Sequence, residues 1–210
     1  MNIIHYFVDC ETSGFFPKGN ALLEICIVKT VNREEVARFY SKIHPHPADK
    51  IEPAALEKNG LKPSKWSKEE ALDPVVAANR IKDFFEIPSK ESGDKCYLVA
   101  HNVQFDARFL RGFGKKHDVE IALPYMQIDT VQLAAAILIP LGLENHKMDT
   151  IRRFLGISSE NAHTATKDVE DLMFLFALLV PPKRDTCNAA ALAWCGNIAY
   201  LIERIKKALC

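Results

Sequence analysis

The 210-residue chain lacks an excess of charge of either sign, because 27 Lys and Arg residues balance 27 Asp and Glu residues. A strongly basic protein captures nucleic acid over long distances through counterion release, and a net charge of zero argues against that mode. The balance does not exclude a nucleic-acid partner. The zero net charge predicts that any such partner is bound locally, at one end of the nucleic acid, rather than along a broad basic face.

The chain also lacks paired cysteines of the C-x-x-C type. A disulfide framework and a structural zinc site are therefore not expected. We expect a reducing, intracellular location, cytoplasmic or nuclear. The six cysteines are scattered: Cys10, Cys26, Cys96, Cys187, Cys195 and Cys210.

Long hydrophobic runs are absent. The N-terminus has no basic region and its apolar stretch already reaches a carboxylate at Asp9, so no signal peptide is expected. The longest apolar run, 131–143, is interrupted by Gln132, Pro140 and Gly142 and is too short to span a bilayer. We expect no membrane partner.

Hydrophobic periodicity predicts three consecutive strands followed by alternating strands and helices. This order favours an α/β fold with a mixed sheet flanked by helices. Strands are predicted at 3–9, 22–31, 36–43, 97–100 and 126–129. Helices are predicted at 53–59, 74–86, 103–117, 131–139, 148–155 and 165–179.

Pro181 and Pro182 end this body, so we predict one domain over residues 1–182 and a separate C-terminal segment, 183–210. Within that segment, apolar residues at helical spacing predict an amphipathic helix from about Ala189 to Leu209. We expect this helix to dock on the same domain. The alternative is that it forms a homodimer surface or binds a polymerase or repair partner.

Asp9 and Glu11 end the first predicted strand. Side chains two residues apart on a strand point to the same face, so both carboxylates can reach one metal ion. Two neighbouring carboxylates at the start of a buried region are costly without a cation. The simpler alternative is a solvated strand end, because this motif is common by chance.

Two further motifs lie where loops or strands pass into helices. Asp106 falls in the first turn of a predicted helix, where the helix dipole favours a carboxylate. His163 lies in a predicted loop, and Asp168 lies in the first turns of the following helix, with Thr164 or Thr166 as the N-cap. Each motif alone is also explained by helix capping.

Together these residues predict a metal site. Oxygen ligands favour hard cations such as Mg²⁺ or Mn²⁺ over zinc. Four carboxylates can hold two such ions about 3.5–4 Å apart, the arrangement used for in-line displacement at phosphorus. A histidine that titrates near neutrality is suited to accept the proton of an attacking water.

The sequence resembles the DEDDh, or DnaQ-like, 3′–5′ exonucleases of the RNase H-like superfamily. The resemblance covers roughly residues 4–180 and rests on "FVDCETSG", "AHNVQFDARFL" and "AHTATKDVEDL", with support from "IDTVQLA" and "HKMDTIRRFLGI". It implies a five-stranded mixed sheet with one antiparallel strand and helices on both faces. It also implies a hydrolase that releases nucleoside 5′-monophosphates from a nucleic-acid 3′ end.

The resemblance implies a role for each motif residue. Asp9 would bridge two divalent cations, Glu11 and Asp168 would hold the nucleophile-side ion, and Asp106 would serve the leaving-group side. His163 would be the general base.

The resemblance also implies a pocket for the terminal nucleotide, in which the backbone of Thr12 would meet the 3′-hydroxyl and Asn102 would line the same pocket. Phe15 and Phe16 would form an apolar wedge against the terminal bases. The alternative is that one of these two rings packs on the core.

Alternatives of other classes remain at this point. One is a catalytically silent module that docks a polymerase or another partner, and another is a two-metal endonuclease. Sugar discrimination depends on contacts to a 2′-hydroxyl, which no motif here reports. DNA and RNA therefore stay open as substrates, as do proofreading, repair and RNA maturation.

Overall fold

A computed structural model describes residues 1–180 of the chain. The predicted boundary at Pro182 and the predicted helix within 183–210 lie outside the described residues. No helix within residues 1–180 is long and apolar enough to cross a membrane.

Five strands form one mixed sheet in the order β3-β2-β1-β4-β5. β2 is antiparallel to both of its neighbours, β1 and β3, whereas β1, β4 and β5 run parallel. The predicted five-stranded sheet with one antiparallel strand is confirmed. The strands are β1 (Ile3–Thr12), β2 (Leu22–Val31), β3 (Glu34–Lys42), β4 (Lys95–Ala100) and β5 (Met126–Asp129).

The central strand β1 is buried on both faces, which explains its nearly continuous apolar sequence. Tyr6, Val8 and Cys10 pack into the core cluster on one face. Phe7, on the opposite face, packs against Val169 and other residues of a second cluster.

Six α-helices lie in the described part of the chain, and three short 3₁₀ turns connect other segments. The predicted helix 165–179 begins at a Thr164 N-cap, whose side-chain oxygen accepts from the Lys167 N–H. The helices are α1 (Pro53–Asn59), α2 (Pro74–Phe84), α3 (Val103–Lys116), α4 (Thr130–Ile137), α5 (Met148–Leu155) and α6 (Ala165–Leu179).

Several element boundaries differ from the sequence prediction by a few residues. Two of them, the ends of β1 and α2, differ because of contacts between residues distant in the sequence. β1 extends to Thr12 instead of ending at Asp9, because it continues to pair with β2 up to the Thr12–Leu22 pair. α2 ends at Phe84 rather than Glu86. Glu86 instead exchanges two hydrogen bonds with the Tyr6 hydroxyl: its N–H donates over 3.0 Å and its carbonyl accepts over 3.1 Å.

Candidate active site at the carboxyl end of the sheet

A cavity of about 830 Å³ opens where β1 ends and where α3 and α6 begin. The carboxyl ends of parallel strands are where sites collect in α/β proteins. Of the nine predicted site residues, eight line this cavity: Asp9, Glu11, Thr12, Phe15, Asn102, Asp106, His163 and Asp168.

Three carboxylates from two elements meet in this cavity. Asp9, Glu11 and Asp168 each offer an oxygen, and these oxygens all lie within 4.8 Å of one another. The alternation of β1 places Asp9 and Glu11 on the face that is covered by α6, and Asp168 projects from the first turn of α6. The predicted same-face pair therefore lies beside the predicted helix-borne aspartate.

Burial makes this cluster electrostatically costly. It raises the pKa of Glu11 to about 8, with the Asp168 carboxylate adding to the effect. Burial also raises the pKa of Asp9 well above its usual value, and the neighbouring Asp106 and Asp168 raise it further. Each carboxyl therefore resists ionisation in the presence of the others, which a bound cation would reverse.

The donor chemistry fits a hard divalent cation. Oδ2 of Asp9 is buried and has no hydrogen-bond partner in the described part of the chain, and an unpaired buried oxygen is unfavourable. Glu24, which pairs with Glu11 across β1 and β2, likewise has a buried Oε2 without a partner within residues 1–180. Carboxylate-only ligands are those that Mg²⁺ and Mn²⁺ prefer.

Asp106 lines the same cavity but is not one of the three clustered carboxylates. It lies in the first turn of α3, is 3% exposed and neighbours Cys10. Burial raises the pKa of Asp106 to about 8. It therefore contributes a fourth buried acidic group from a different side of the cavity.

His163 lies in the loop before α6, as predicted, with a left-handed backbone at φ 64°. Its N–H donates to Oδ1 of Asp168 over 3.2 Å. Its ring Nε2 lies 3.6 Å from Oδ2 of Asp149, and the side chain is 32% exposed. The histidine thus lies at the solvent side of the carboxylate cluster, and its backbone N–H is hydrogen-bonded to one carboxylate of the cluster.

A fully buried arginine supports Asp168 from behind. The guanidinium of Arg152 donates to Asp168 over 2.5 Å, to Asp171 over 2.7 Å and to Asp149 over 2.8 Å. Its side chain is 0% exposed. Arg152 therefore fixes one oxygen of Asp168, and in the described part of the chain the other oxygen accepts no hydrogen bond.

The residues predicted to receive a substrate differ in exposure. Thr12 is buried, and its hydroxyl donates to the Gly14 carbonyl over 2.7 Å. Asn102, at φ 74°, precedes α3, and its N–H donates to Asp129 over 3.0 Å. Phe15 and Phe16 are 70% and 71% exposed.

Only one of the two phenylalanines faces the cavity. The Phe15 ring lies at the cavity wall, edge-on to the Phe105 ring at a centroid distance of 6.5 Å. Phe16 does not line the cavity.

The family to which the chain belongs follows from a match over residues 6–176 to the model of the RNase T exonuclease family, described as "Exonuclease". The match includes β2 to β5, most of β1 and all five motif residues. The chain belongs to this exonuclease family. It is therefore a nuclease, which is a hydrolase. Three short sequence motifs already indicated this resemblance to exonucleases.

Curated relatives of this exonuclease include nucleases and larger enzymes. Ribonuclease T from Shewanella frigidimarina is 30% identical over 185 residues, covering 82% of this chain and 80% of that protein. The PolC-type DNA polymerase III of Oceanobacillus iheyensis is 30% identical over 172 residues, covering 82% of this chain but 11% of the polymerase. The 3′-5′ exonuclease DinG of Bacillus subtilis is 28% identical, with 17% of its length covered.

Solved structures share the fold of this exonuclease. Escherichia coli exonuclease I in complex with a dA16 oligonucleotide superposes with a TM-score of 0.69 at 20% identity. The alignment covers 88% of this chain and 41% of exonuclease I. The sheet and its flanking helices are thus those of the exonuclease I nuclease fold.

The sequence prediction missed Arg152, Asp149 and Glu24, although two of them left a signal. Arg152 follows Ile151 on the buried face of α5. A buried guanidinium group requires carboxylate partners, so an arginine at such a position is a signal. Asp149, three residues earlier, has the spacing of a helical ion pair with Arg152. Glu24 gave no signal, because its pairing with Glu11 depends on the strand register.

Proposed function

We propose that this protein is a 3′–5′ exonuclease that uses two divalent cations, Mg²⁺ or Mn²⁺, to release nucleoside 5′-monophosphates from a nucleic-acid 3′ end. The observation that carries the proposal is the partly buried trio Asp9, Glu11 and Asp168, with the buried and unpaired Asp9 oxygen, next to a His163 side chain that is 32% exposed. Carboxylates and histidine are the groups that this hydrolysis requires.

The location of the five motif residues in one cavity supports the roles proposed for them. Asp9, Glu11, Asp106 and Asp168 would hold the cations, which supply Lewis-acid activation of water and charge neutralisation at the leaving oxygen. The imidazole of His163 accepts the proton of the attacking water. The water oxygen bonds to phosphorus while the bond between phosphorus and the 3′-oxygen of the preceding nucleotide breaks. That oxygen leaves on the polymer and takes up a proton from solvent to become the new 3′-hydroxyl.

The orientation of His163 is also part of the proposal. Asp149 approaches the ring at 3.6 Å, and the backbone N–H of His163 is bonded to Asp168. The base and one metal ligand are thereby held in a fixed relation, which a proton transfer requires. Loss of either contact would let the ring swing out toward solvent.

The substrate is proposed to be a single strand whose terminal nucleotide enters between Thr12, Asn102 and Phe15. The exposed Phe15 ring at the cavity mouth suits the stacking of an unpaired base. Ribonuclease T, a PolC-type DNA polymerase and exonuclease I with bound oligonucleotides are the relevant relatives. They support both RNA and DNA as substrate classes.

Asp9→Asn tests the proposal, because the amide keeps the shape of the side chain and removes the ligand charge. The variant should lose trimming of a 3′-labelled oligonucleotide by about a thousandfold or more, since a metal site supplies several kcal/mol of stabilisation to the transition state. Trimming is measured with Mg²⁺ and with Mn²⁺, on matched single strands of DNA and RNA.

Asp83→Asn is the matched control, since Asp83 is an exposed aspartate on α2 outside the cavity. It should trim as fast as the wild type and bind Mn²⁺ in calorimetry as tightly. His163→Ala should lose trimming but retain calorimetric Mn²⁺ binding. Wild-type rates in both Asp9→Asn and His163→Ala would refute the proposed mechanism.

A further inference from the structure

A line of cationic side chains runs along the solvent face of α3, outside the cavity, with no ion-pair partner in the described part of the chain. Gln104, Arg108, Arg111 and Lys115 are all exposed, and at about 100° per residue they fall on one narrow strip of the helix. We call Arg108, Arg111 and Lys115 the α3 basic strip.

The charges of the strip are not compensated. None of its three residues forms an ion pair within residues 1–180. Lys116, the next residue of the helix, lies on a different face and is paired with Asp49. α3 carries one acidic residue, Asp106, which is buried.

Such an arrangement differs from an ordinary solvated helix face. Like charges three and four residues apart repel each other, whereas solvated faces usually alternate charges in sign. Asp118 and Glu120 line an adjoining groove with Arg111 and Lys115 but lie beyond the C-terminal end of α3. Neither acidic residue forms an ion pair with the strip in residues 1–180, so the strip can bind an anionic partner.

The position of the strip identifies that partner. α3 begins at the cavity, whose wall includes Asn102, Phe105 and Asp106, and the helix leads outward from there. The Phe105 ring contacts Phe15 at the cavity mouth. Arg108 to Lys115 span about 10 Å along the axis, a length that about three consecutive phosphates can follow.

We propose that the α3 basic strip binds the phosphates of the single strand upstream of the terminal nucleotide, after the strand leaves the cavity past Phe15 and Phe105. This inference rests on the proposed exonuclease function and adds a second contact region to it. Proteins that bind single strands without sequence preference combine aromatic side chains that stack on the bases with positively charged side chains that contact the backbone phosphates. The strip is short, in keeping with the zero net charge of the chain.

The test is the triple variant R108Q/R111Q/K115Q, which removes three charges and keeps polar side chains. Its control is R80Q/K82Q/K90Q, which removes three exposed charges that do not line the cavity. Hydrolysis of a dinucleotide and of a twelve-nucleotide single strand is compared at several salt concentrations, in DNA and RNA.

For the twelve-nucleotide strand, kcat/KM of the strip variant should fall about tenfold through KM. The slope of log(kcat/KM) against log[salt] should decrease in magnitude by about 2, since each phosphate contact on a single strand contributes about 0.7. Hydrolysis of the dinucleotide, which is too short to reach the strip, should change less than about twofold.

Equal loss in the strip and control variants, or equal loss on both substrate lengths, would overturn the inference. Failure of the proposed function has a different signature, in which the wild type degrades neither substrate. In that case, binding of a fluorescent twelve-nucleotide strand in EDTA tests the role of the strip without depending on hydrolysis. Tighter binding by the control than by the strip variant supports the strip, and equal binding overturns it.

Discussion

At the scale of single residues, the carboxylate cluster depends on a positively charged side chain of the protein, the guanidinium group of Arg152. Arg152 is fully buried and contacts Asp149, Asp168 and Asp171. Asp168 is proposed to bind metal, so Arg152 leaves it one oxygen and compensates part of its charge. Burial alone raises the pKa of Asp168, and Arg152 opposes that rise.

Removal of this guanidinium should be costly when no metal is present. Arg152→Met should destabilise the protein by about 3–5 kcal/mol in EDTA, because it leaves buried carboxylates without their partner. Saturating Mn²⁺ should restore part of the loss. Urea unfolding in EDTA and in Mn²⁺ measures both effects.

Arg153→Gln is the control for this prediction, since Arg153 is the exposed neighbour on the same helix. Arg152→Lys keeps the charge but not the three-way contact, so its stability should lie between those of the wild type and Arg152→Met. Equal stability of the Arg152→Met and Arg153→Gln variants would contradict the buried-cation account.

The sequence could predict the motif residues but not the contacts between them. The alternation along β1 sufficed to place Asp9 and Glu11 on one face, because the period of a strand is local. The loop position of His163 followed from the capping residue Thr164. The separation of Asp106 from the clustered carboxylates depends on how α3 crosses the sheet, which is a property of tertiary packing.

At the scale of elements, the loop between β1 and β2 positions the exposed phenylalanines. Asn20 is buried and organises this loop, because its amide donates to the Ser13 and Lys50 carbonyls and its oxygen accepts from the Phe16 N–H. Gly14, at φ 157°, leaves room for it. A Cβ on Gly14 would lie 2.4 Å from the Asn20 amide nitrogen.

Gly14→Ala should therefore displace Asn20 and cost about 2 kcal/mol, within the range for loss of a buried hydrogen-bond network. KM for a single strand should also rise as Phe15 moves. Gly19→Ala is the control in the same loop, since a Cβ there meets no atom within 4 Å. Thermal unfolding and steady-state kinetics measure the two effects, and identical behaviour of the two variants would contradict the prediction.

Most elements could be predicted because their signals are local. β2, β5, α1, α5 and α6 have the predicted bounds, each set by periodicity and by flanking Gly, Pro or capping residues. The extension of β1 to Thr12 could not be predicted, because it requires the pairing with β2 across the sheet. The same holds for the end of α2, which is set by the distant Tyr6 hydroxyl.

At the scale of the whole molecule, the acidic cluster couples stability to pH. The folded-state pKa values of Glu11 and Asp106 are about 8, well above those of unfolded carboxylates, about 4. The folded protein therefore binds more protons than the unfolded chain between these values. The stabilisation by protonated carboxyls is full below about pH 4 and is lost as pH rises toward 8.

In EDTA, stability should fall from about pH 7 to about pH 9, a window that spans the folded-state pKa values near 8. Burial lowers the pKa of His5 to about 4, so its contribution changes at lower pH and does not interfere. Saturating Mg²⁺ should flatten the decline, since the cation replaces the protons. Urea midpoints at both pH values provide the measurement.

Asp9→Asn serves as the comparison, because it removes one carboxylate from the cluster and should weaken the pH dependence in EDTA. A metal-free stability that is constant or increases from about pH 7 to about pH 9 would be evidence against a protonated cluster. The Asp83→Asn variant should follow the wild type throughout.

The strand order also has a consequence for synthesis on the ribosome. β1 is made first and can pair at once with β2, but its other edge waits for β4, which begins at Lys95. Asp168 emerges later still. At 5–20 residues per second, the carboxylates of β1 therefore wait on the order of ten seconds or more for their partner. During that interval a nascent chain can hold the β1–β2 hairpin but not a complete set of ligands.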